Sequence, residues 1–265
     1  MTYNVMDRWP GQVGDPVMLT WSFVPDSTWA DGGHSVLDSV FGETLKNKIR
    51  RAFRYWSDST GVKLIEVADD GAPMPNSPGV QGVRGDIRLG ARPIDGATGV
   101  LAYAYYPPVG DILFDSDDID YFSTPTDNYR ALKNVTCQEL GHSLGLGHVT
   151  PNDCTKLMET FVCPLFTGPQ DDDLRGAQRL YGDPSENNDV VADAVDIGFC
   201  PVFEMPYALC IDGGSDVDWY LFGSCPCHIA IEVDPIGSCY LLGDAGGPPP
   251  TMICTDSISD LDFYL

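Results

Sequence analysis

Residues 137–148 read CQELGHSLGLGH, and no other stretch limits the chain's options so narrowly. In an α-helix, positions i and i+4 lie about 40° apart on one face, so Gln138 and His142 point the same way. Glu139 sits one step round, near enough to reach a water held there without itself ligating. Gly145 can end the helix in a left-handed conformation and turn the chain so that His148 faces the same point. Two imidazoles plus one further ligand leave a fourth position for water, the arrangement a catalytic zinc requires. The glutamate is then placed to take the water's proton while zinc polarises the reacting carbonyl. A bare E-x-x-H would read as an ordinary buried helix; Gly145 and His148 at the full spacing argue against that.

The departure in this pattern is Gln138, whose neutral amide oxygen is a poorer zinc donor than an imidazole nitrogen. Cys137 is not an easy substitute, because five residues before His142 it points roughly 140° away around the helix.

The surrounding chain alternates strands and helices. PVMLTWSFVP (16–25) has the β-branched and aromatic content of a strand, and VKLIEV, GDIRLGA, GVLAYAYYPP and GDILFDSDD read as further strands. In ETLKNKIRRAFRYWSDSTG, Leu45, Ile49, Phe53 and Trp56 form one apolar helical stripe that Gly61 ends. The motif helix spans 128–144. A last helix, within 169–182, opens on Pro and acids and sets Leu174, Ala177, Gln178 and Tyr181 on one side. The expectation is an α+β fold, a twisted mixed sheet packed by three main helices.

GDPSENND has linker composition, which places a domain boundary near residue 184. The division expected is 1–183 and 184–265, the second part a small all-β unit of antiparallel strands. Within it CIDGGSDVDWYLF (210–222) is echoed by CTDSISDLDFYL (254–265), either as half-repeats of one sandwich or as the start of a further module. Six of the nine cysteines crowd this region, and Cys154 and Cys163 bracket one loop. The pattern suggests disulfides, Cys154 to Cys163 among them, and an oxidising compartment. Cys137 is odd by parity.

The chain carries 32 Asp against 7 Glu and a formal net charge of −24. Such a surface is a poor partner for nucleic acid or anionic membranes. It reads either as solubilising or, through its Asp clusters, as calcium-chelating. No apolar run is long enough to span a membrane. The first residues lack the basic and apolar regions of a signal peptide, so export would rest on a segment outside these residues or on another route. His34 and His228 read as surface or structural residues, and the Asn134-Val-Thr136 glycosylation pattern is set aside because it lies on the motif helix.

Taken with its flanks, the motif resembles the metzincins, and within them the matrixin branch. CTKLMETF places Met158 ten residues past His148, where the family's Met-turn lies. GDIRLGARPIDGATGVLAYAYYPPVGDILFDSDD resembles the ion-binding loop and strands, and GPQDDDLRGAQRLYG the closing helix. The resemblance covers about residues 8–182. It implies a zinc endopeptidase with Glu139 as general base, His142 and His148 as metal donors, the Gln138 oxygen or a water standing in for it as the third, and Gly145 and Met158 as structural residues of the site. It also implies a structural calcium site at Asp95, Asp115 and Asp118. Tyr103 and Leu113 stand where animal matrixins carry histidines for a structural zinc, so no structural zinc is expected. No cysteine-switch motif is present. ENNDVVADAVDIG and DGGSDVDWYLF resemble the pre-peptidase C-terminal domain of secreted bacterial proteases. That likeness implies an appendage for secretion or targeting, in which Asp212, Asp216 and Asp218 form either a calcium site or an acidic turn.

Two functions stand against each other at this point. One is a secreted, monomeric zinc endopeptidase acting on proteins or peptides. The other is a weakened or inactive matrixin-like protein that grips extended peptides by edge-strand pairing.

Overall fold

A computed structural model describes residues 3–150, 152–199, 217–223, 239–242 and 251–254. After β1 (Asn4–Val5), the chain forms β2 (Val17–Phe23), α1 (Leu37–Ser57), β3 (Val62–Glu66), β4 (Ile87–Arg92), β5 (Ala102–Ala104) and β6 (Ile112–Asp115). The short α2 (Ile119–Phe122) precedes α3 (Arg130–Ser143), β7 (Leu146–Gly147) and α4 (Asp171–Tyr181).

The main sheet has the order β3-β2-β4-β6-β5. All its pairs are parallel except β5 on β6, so the sheet is mixed and β5 is an antiparallel edge. Helices α1, α3 and α4 are the three long ones, and the architecture is α+β, as the alternation of elements implies.

The stripe read from periodicity is buried: Leu45, Ile49, Phe53 and Trp56 all lie in the core with Trp21, Phe114, Val135 and Leu140. Helix α1 starts earlier than its sequence suggests, at Leu37, because Gly42 (φ 57°, ψ 179°) joins two helical pieces across a kink. Only a residue without a Cβ takes that conformation readily, so the sequence reading that begins at Glu43 finds the second piece alone. Trp56 then ties α1 to α3, its indole N–H donating to the Cys137 carbonyl at 3.1 Å.

Two polar clusters fasten the loops to the sheet. Arg88 on β4 is fully buried and forks onto the Asp69 carboxylate at 2.7 and 2.8 Å, with Ser22 donating to the same group. On β5 and just beyond it, the Tyr103 and Tyr105 hydroxyls both donate to Asp31 Oδ2 at 2.6 Å. Leu113 lies in a small apolar cluster with Val24, Ala30 and Met74, against which Tyr103 packs.

Beyond α4, β8 (Val195–Phe199) pairs with β9 (Tyr220–Gly223), and β10 (Cys239–Leu242) with β11 (Thr251–Cys254). The second pair is antiparallel, with Cys239 opposite Cys254 in register. The first pair is parallel, which differs from the antiparallel expectation. Residues 200–219 separate its strands, and a connection of that length permits a parallel return that a short hairpin turn does not. Cys200, Cys210, Cys225, Cys227, His228, Asp212, Asp216 and most of both echoing segments lie outside the described residues.

Candidate metal centre

Helix α3 is buried over nearly its whole length, an uncommon setting for a segment holding Lys133, Asn134, Thr136, Gln138, Glu139 and His142. Each such group needs a partner. Thr136 bonds back to the Leu132 carbonyl. Asn134 donates to the carbonyls of Cys163 and Phe166 at 2.9 Å and accepts the Gly168 N–H. It therefore anchors the 163–168 loop to the helix from inside, and with 1% of its surface exposed its side chain is enclosed by protein.

The helix ends where the pattern demands. Gly145 has φ +102°, in the left-handed region, and its N–H bonds to the His142 carbonyl. The next residues form β7, which pairs with β1 through Val5↔Leu146 and Asn4↔Gly147. This turn brings His148 back over the helix, with its Nε2 3.1 Å from Nε2 of His142. Nδ1 of His142 lies 2.7 Å from the Leu146 carbonyl oxygen. A carbonyl only accepts, so Nδ1 carries the hydrogen and Nε2 of the neutral ring keeps its lone pair. Burial first, and His148 second, push His142 down to about 4; burial lowers His148 as well. Both rings are therefore neutral near pH 7, the form that binds metal.

Glu139 is 7% exposed, and burial alone pushes its carboxyl up to about 8. The Tyr106 ring stands edge-on to His142 with centroids 5.7 Å apart, and burial and then the Glu139 charge raise its hydroxyl. Gln138, 5% exposed, donates through Nε2 to the Glu159 carbonyl at 2.8 Å. The structure thus brings two imidazole nitrogens together, while the Gln138 amide, on the same helix face one turn earlier, is engaged with Glu159. Such a pair could hold zinc, with the Gln138 amide offering a weaker donor than a third imidazole would. Among the described residues no group of three or more His, Cys, Asp or Glu side chains is placed to hold a metal ion.

Met158 lies beneath the helix, 2% exposed, with its sulfur where a Cβ on Gly141 would intrude. Its turn is held from a distance: the Asp173 carboxylate accepts the N–H groups of Leu157 and Met158 at 2.7 and 3.1 Å and also closes the capping box of α4. The Val149 N–H bonds to the Met158 carbonyl, joining the turn to the segment after His148. Cys154 and Cys163 form a disulfide across this loop, and Cys137 is free and buried.

The acidic loop is folded around its own backbone. Asp115 accepts the N–H groups of Asp95 and Asp117, and Asp118 that of Thr98. Burial, and then the charges of Asp115, Asp95 and Asp117, push Asp118 up, and its Oδ2 is buried with no hydrogen-bond partner. Asp118 Oδ2 is thus an orphan in an acidic loop whose three carboxylates do not form a ready-made cation site. Sequence reasoning misses Glu159, Asp173, Asn134 and Tyr106 at the metal centre. Of these, only Asp173 gives a sequence signal, as an acid in the first turn of a helix.

The profile of the family described as Matrixin (Peptidase_M10) matches residues 33–182. Interstitial collagenase of Oryctolagus cuniculus is 38% identical over 149 residues, covering 54% of this chain and 29% of that protein. Matrix metalloproteinase-16 of Homo sapiens is 35% identical over 167 residues, 57% of this chain and 26% of that protein. Hatching enzyme of Paracentrotus lividus is 32% identical over 179 residues, 63% of this chain and 27% of that protein. The matched region is under a third of each relative's length, yet it is more than half of this chain; residues 33–182 hold four of the five strands of the main sheet, helices α1 to α4 and the histidine pair, and the chain belongs to the matrixin family.

Proposed function

We propose that the chain is a secreted, monomeric zinc-dependent endopeptidase in which residues 1–183 form the catalytic domain and 184–265 a small β-rich appendage. The observation that carries this reading is the pair of imidazoles facing each other at 3.1 Å beside the buried Glu139 carboxyl on the same helix. His142, His148 and the Gln138 amide oxygen would hold the metal. When bound, zinc supplies a Lewis acid that acidifies water and polarises a peptide carbonyl.

The chain's own groups do the rest. A cation near the histidines favours the ionised form of Glu139 over the neutral form that burial imposes. The Glu139 carboxylate then takes the proton of the attacking water and delivers it to the nitrogen of the leaving amine. The Leu146 carbonyl keeps His142 in the tautomer whose Nε2 is free to donate its lone pair. The free edge of β5 offers backbone groups to an extended peptide substrate. Asp95, Asp115 and Asp118 would bind calcium, with the unpartnered Asp118 Oδ2 as one ligand. The Cys154–Cys163 disulfide and the crowding of cysteines favour an oxidising, extracellular setting. Among the described residues no helix is long and apolar enough to cross a membrane.

Zinc content of the purified chain, together with casein cleavage with and without a chelator, tests the proposal. A protein that retains no zinc and cleaves nothing at millimolar zinc would overturn it. Gln138 supports a second reading, a peptide-binding protein with little or no turnover, because an amide donor weakens metal binding. That reading requires stable peptide binding that Glu139→Ala leaves unchanged.

A further inference from the structure

Gln138 is the residue that sets this site apart, and its amide is not free to rotate. The Glu159 carbonyl can only accept, so the group 2.8 Å from it must be the Gln138 nitrogen and not its oxygen. With nitrogen and oxygen on one planar carbon, committing the nitrogen fixes where the oxygen lies. The orientation of the Gln138 amide therefore follows the position of one backbone carbonyl, that of Glu159.

That carbonyl is itself held hard. Glu159 is 2% exposed, and its carboxylate is cradled by three successive backbone N–H groups: Cys154 on one oxygen at 2.7 Å, Thr155 and Lys156 on the other at 2.9 and 3.0 Å. Three N–H groups converging on a carboxylate make short, charge-assisted bonds, which pin the chain from 154 to 159 into one closed loop. Cys154, the first donor, is in turn tied to Cys163 by the disulfide. On the other side, Glu159 bridges Val149, the residue following His148. The same short segment thus touches the neighbour of one metal donor and the side chain of another.

We propose that Glu159 is a positioning residue for the metal. Its carbonyl fixes the Gln138 amide so that the oxygen is the donor atom presented to the metal, and its cradled carboxylate holds that carbonyl in place. This proposal rests on the reading of the site as a zinc centre. It explains how a weak amide donor can serve at all, since a donor fixed in advance loses no rotamer freedom on binding.

The test is a double-mutant cycle read as metal affinity, using Zn2+ in competition with a chromogenic chelator, and as the visible spectrum of the Co2+-substituted protein. Glu159→Ala should weaken Zn2+ binding by about tenfold or more, the size of effect that outer-shell partners have on metal sites. It should also alter the Co2+ bands. Glu159→Gln, which keeps one acceptor oxygen in the cradle, should fall between wild type and Glu159→Ala. In a Gln138→Ala background, neither Glu159 change should alter affinity or spectrum further.

Equal losses with and without Gln138 would overturn the proposal and make Glu159 a purely structural residue. Unchanged affinity and spectrum in Glu159→Ala, with wild type binding zinc normally, would overturn it while leaving the zinc centre intact. If Glu159→Ala does not fold, the Glu159→Gln cycle decides by the same comparison. A wild-type chain that binds neither Zn2+ nor Co2+ would overturn the parent reading, and this proposal with it.

Discussion

The Gly145 carbonyl accepts the Met6 N–H at 2.8 Å, and a Cβ on Gly145 would overlap the Asp7 carbonyl. The residue that turns the chain toward His148 is thus also the point where the N-terminal segment docks. Both constraints, a left-handed φ and a backbone carbonyl with no freedom to retreat, exclude a side chain. Gly145→Ala should lower stability by about 3 kcal/mol or more, combining backbone strain with overpacking. Chemical denaturation of the two proteins measures this directly, and a loss below about 1 kcal/mol would show that the turn can rearrange.

Gly141 meets a softer obstacle. A Cβ there would lie 2.5 Å from the Met158 sulfur and 3.3 Å from Trp56 Cζ2. A methionine side chain can shift where a backbone carbonyl cannot. Gly141→Ala should therefore cost less than Gly145→Ala, about 1–3 kcal/mol, with Met158 displaced from its place against the helix. A thermal melt gives the first quantity, and the chemical shift of the Met158 methyl group reports the second.

These two glycines show where sequence reasoning reaches and where it stops. Gly145 is legible because a helix that must bring a third residue onto one point needs a reversal at that spacing. The stripe of α1 is legible because burial follows the helical period. Gly42 hides the first turns of α1, because its φ of 57° interrupts the period from which a helix is read. Asp173 shows a different kind of limit. Its place in a helix's first turn accounts for it locally, yet it also holds the N–H groups of Leu157 and Met158. Partners made of backbone groups leave no mark in side-chain identity, and the Leu146 and Glu159 carbonyls are invisible for the same reason. The parallel pairing of β8 with β9 is likewise decided by the path of the connection and not by strand composition.

Asp111 gives a prediction in pH. It is 2% exposed, accepts the Arg88 backbone N–H at 2.9 Å, and burial pushes its carboxyl up to about 7. The neighbouring charges act in opposite senses, Arg88 lowering it and Asp69 raising it. A raised carboxyl favours the protonated form in the folded state. Its stabilising contribution is complete below the unfolded value of 3.8 and is lost as pH rises through about 7. The amide of an Asp111→Asn variant keeps an acceptor for the Arg88 N–H and does not titrate. The stability of wild type minus that of the variant should fall by a few kcal/mol between pH 4 and 8, on the order of 1.4 kcal/mol for each tenfold gain in proton affinity on folding. Urea unfolding across that range measures it, and a constant difference would show that Asp111 is ionised throughout.

The last prediction separates the two functional readings. Gln138→His replaces the amide oxygen by an imidazole nitrogen and should raise zinc affinity by at least about tenfold, since ligand changes exceed the effects of outer-shell ones. Glu139→Gln keeps the size and burial of the side chain but removes its capacity to take a proton. It should bind zinc as wild type does while its proteolysis falls by about 10²–10⁴-fold. If wild-type cleavage arises at this centre, the two changes combine in a definite way. Gln138→His alone should increase cleavage at limiting zinc, and the addition of Glu139→Gln should abolish that increase without lowering the metal content. Peptide binding measured alongside completes the comparison. A wild-type protein that binds peptide tightly, and a Gln138→His variant that fills with zinc yet still cleaves nothing, would assign the chain to recognition instead of hydrolysis.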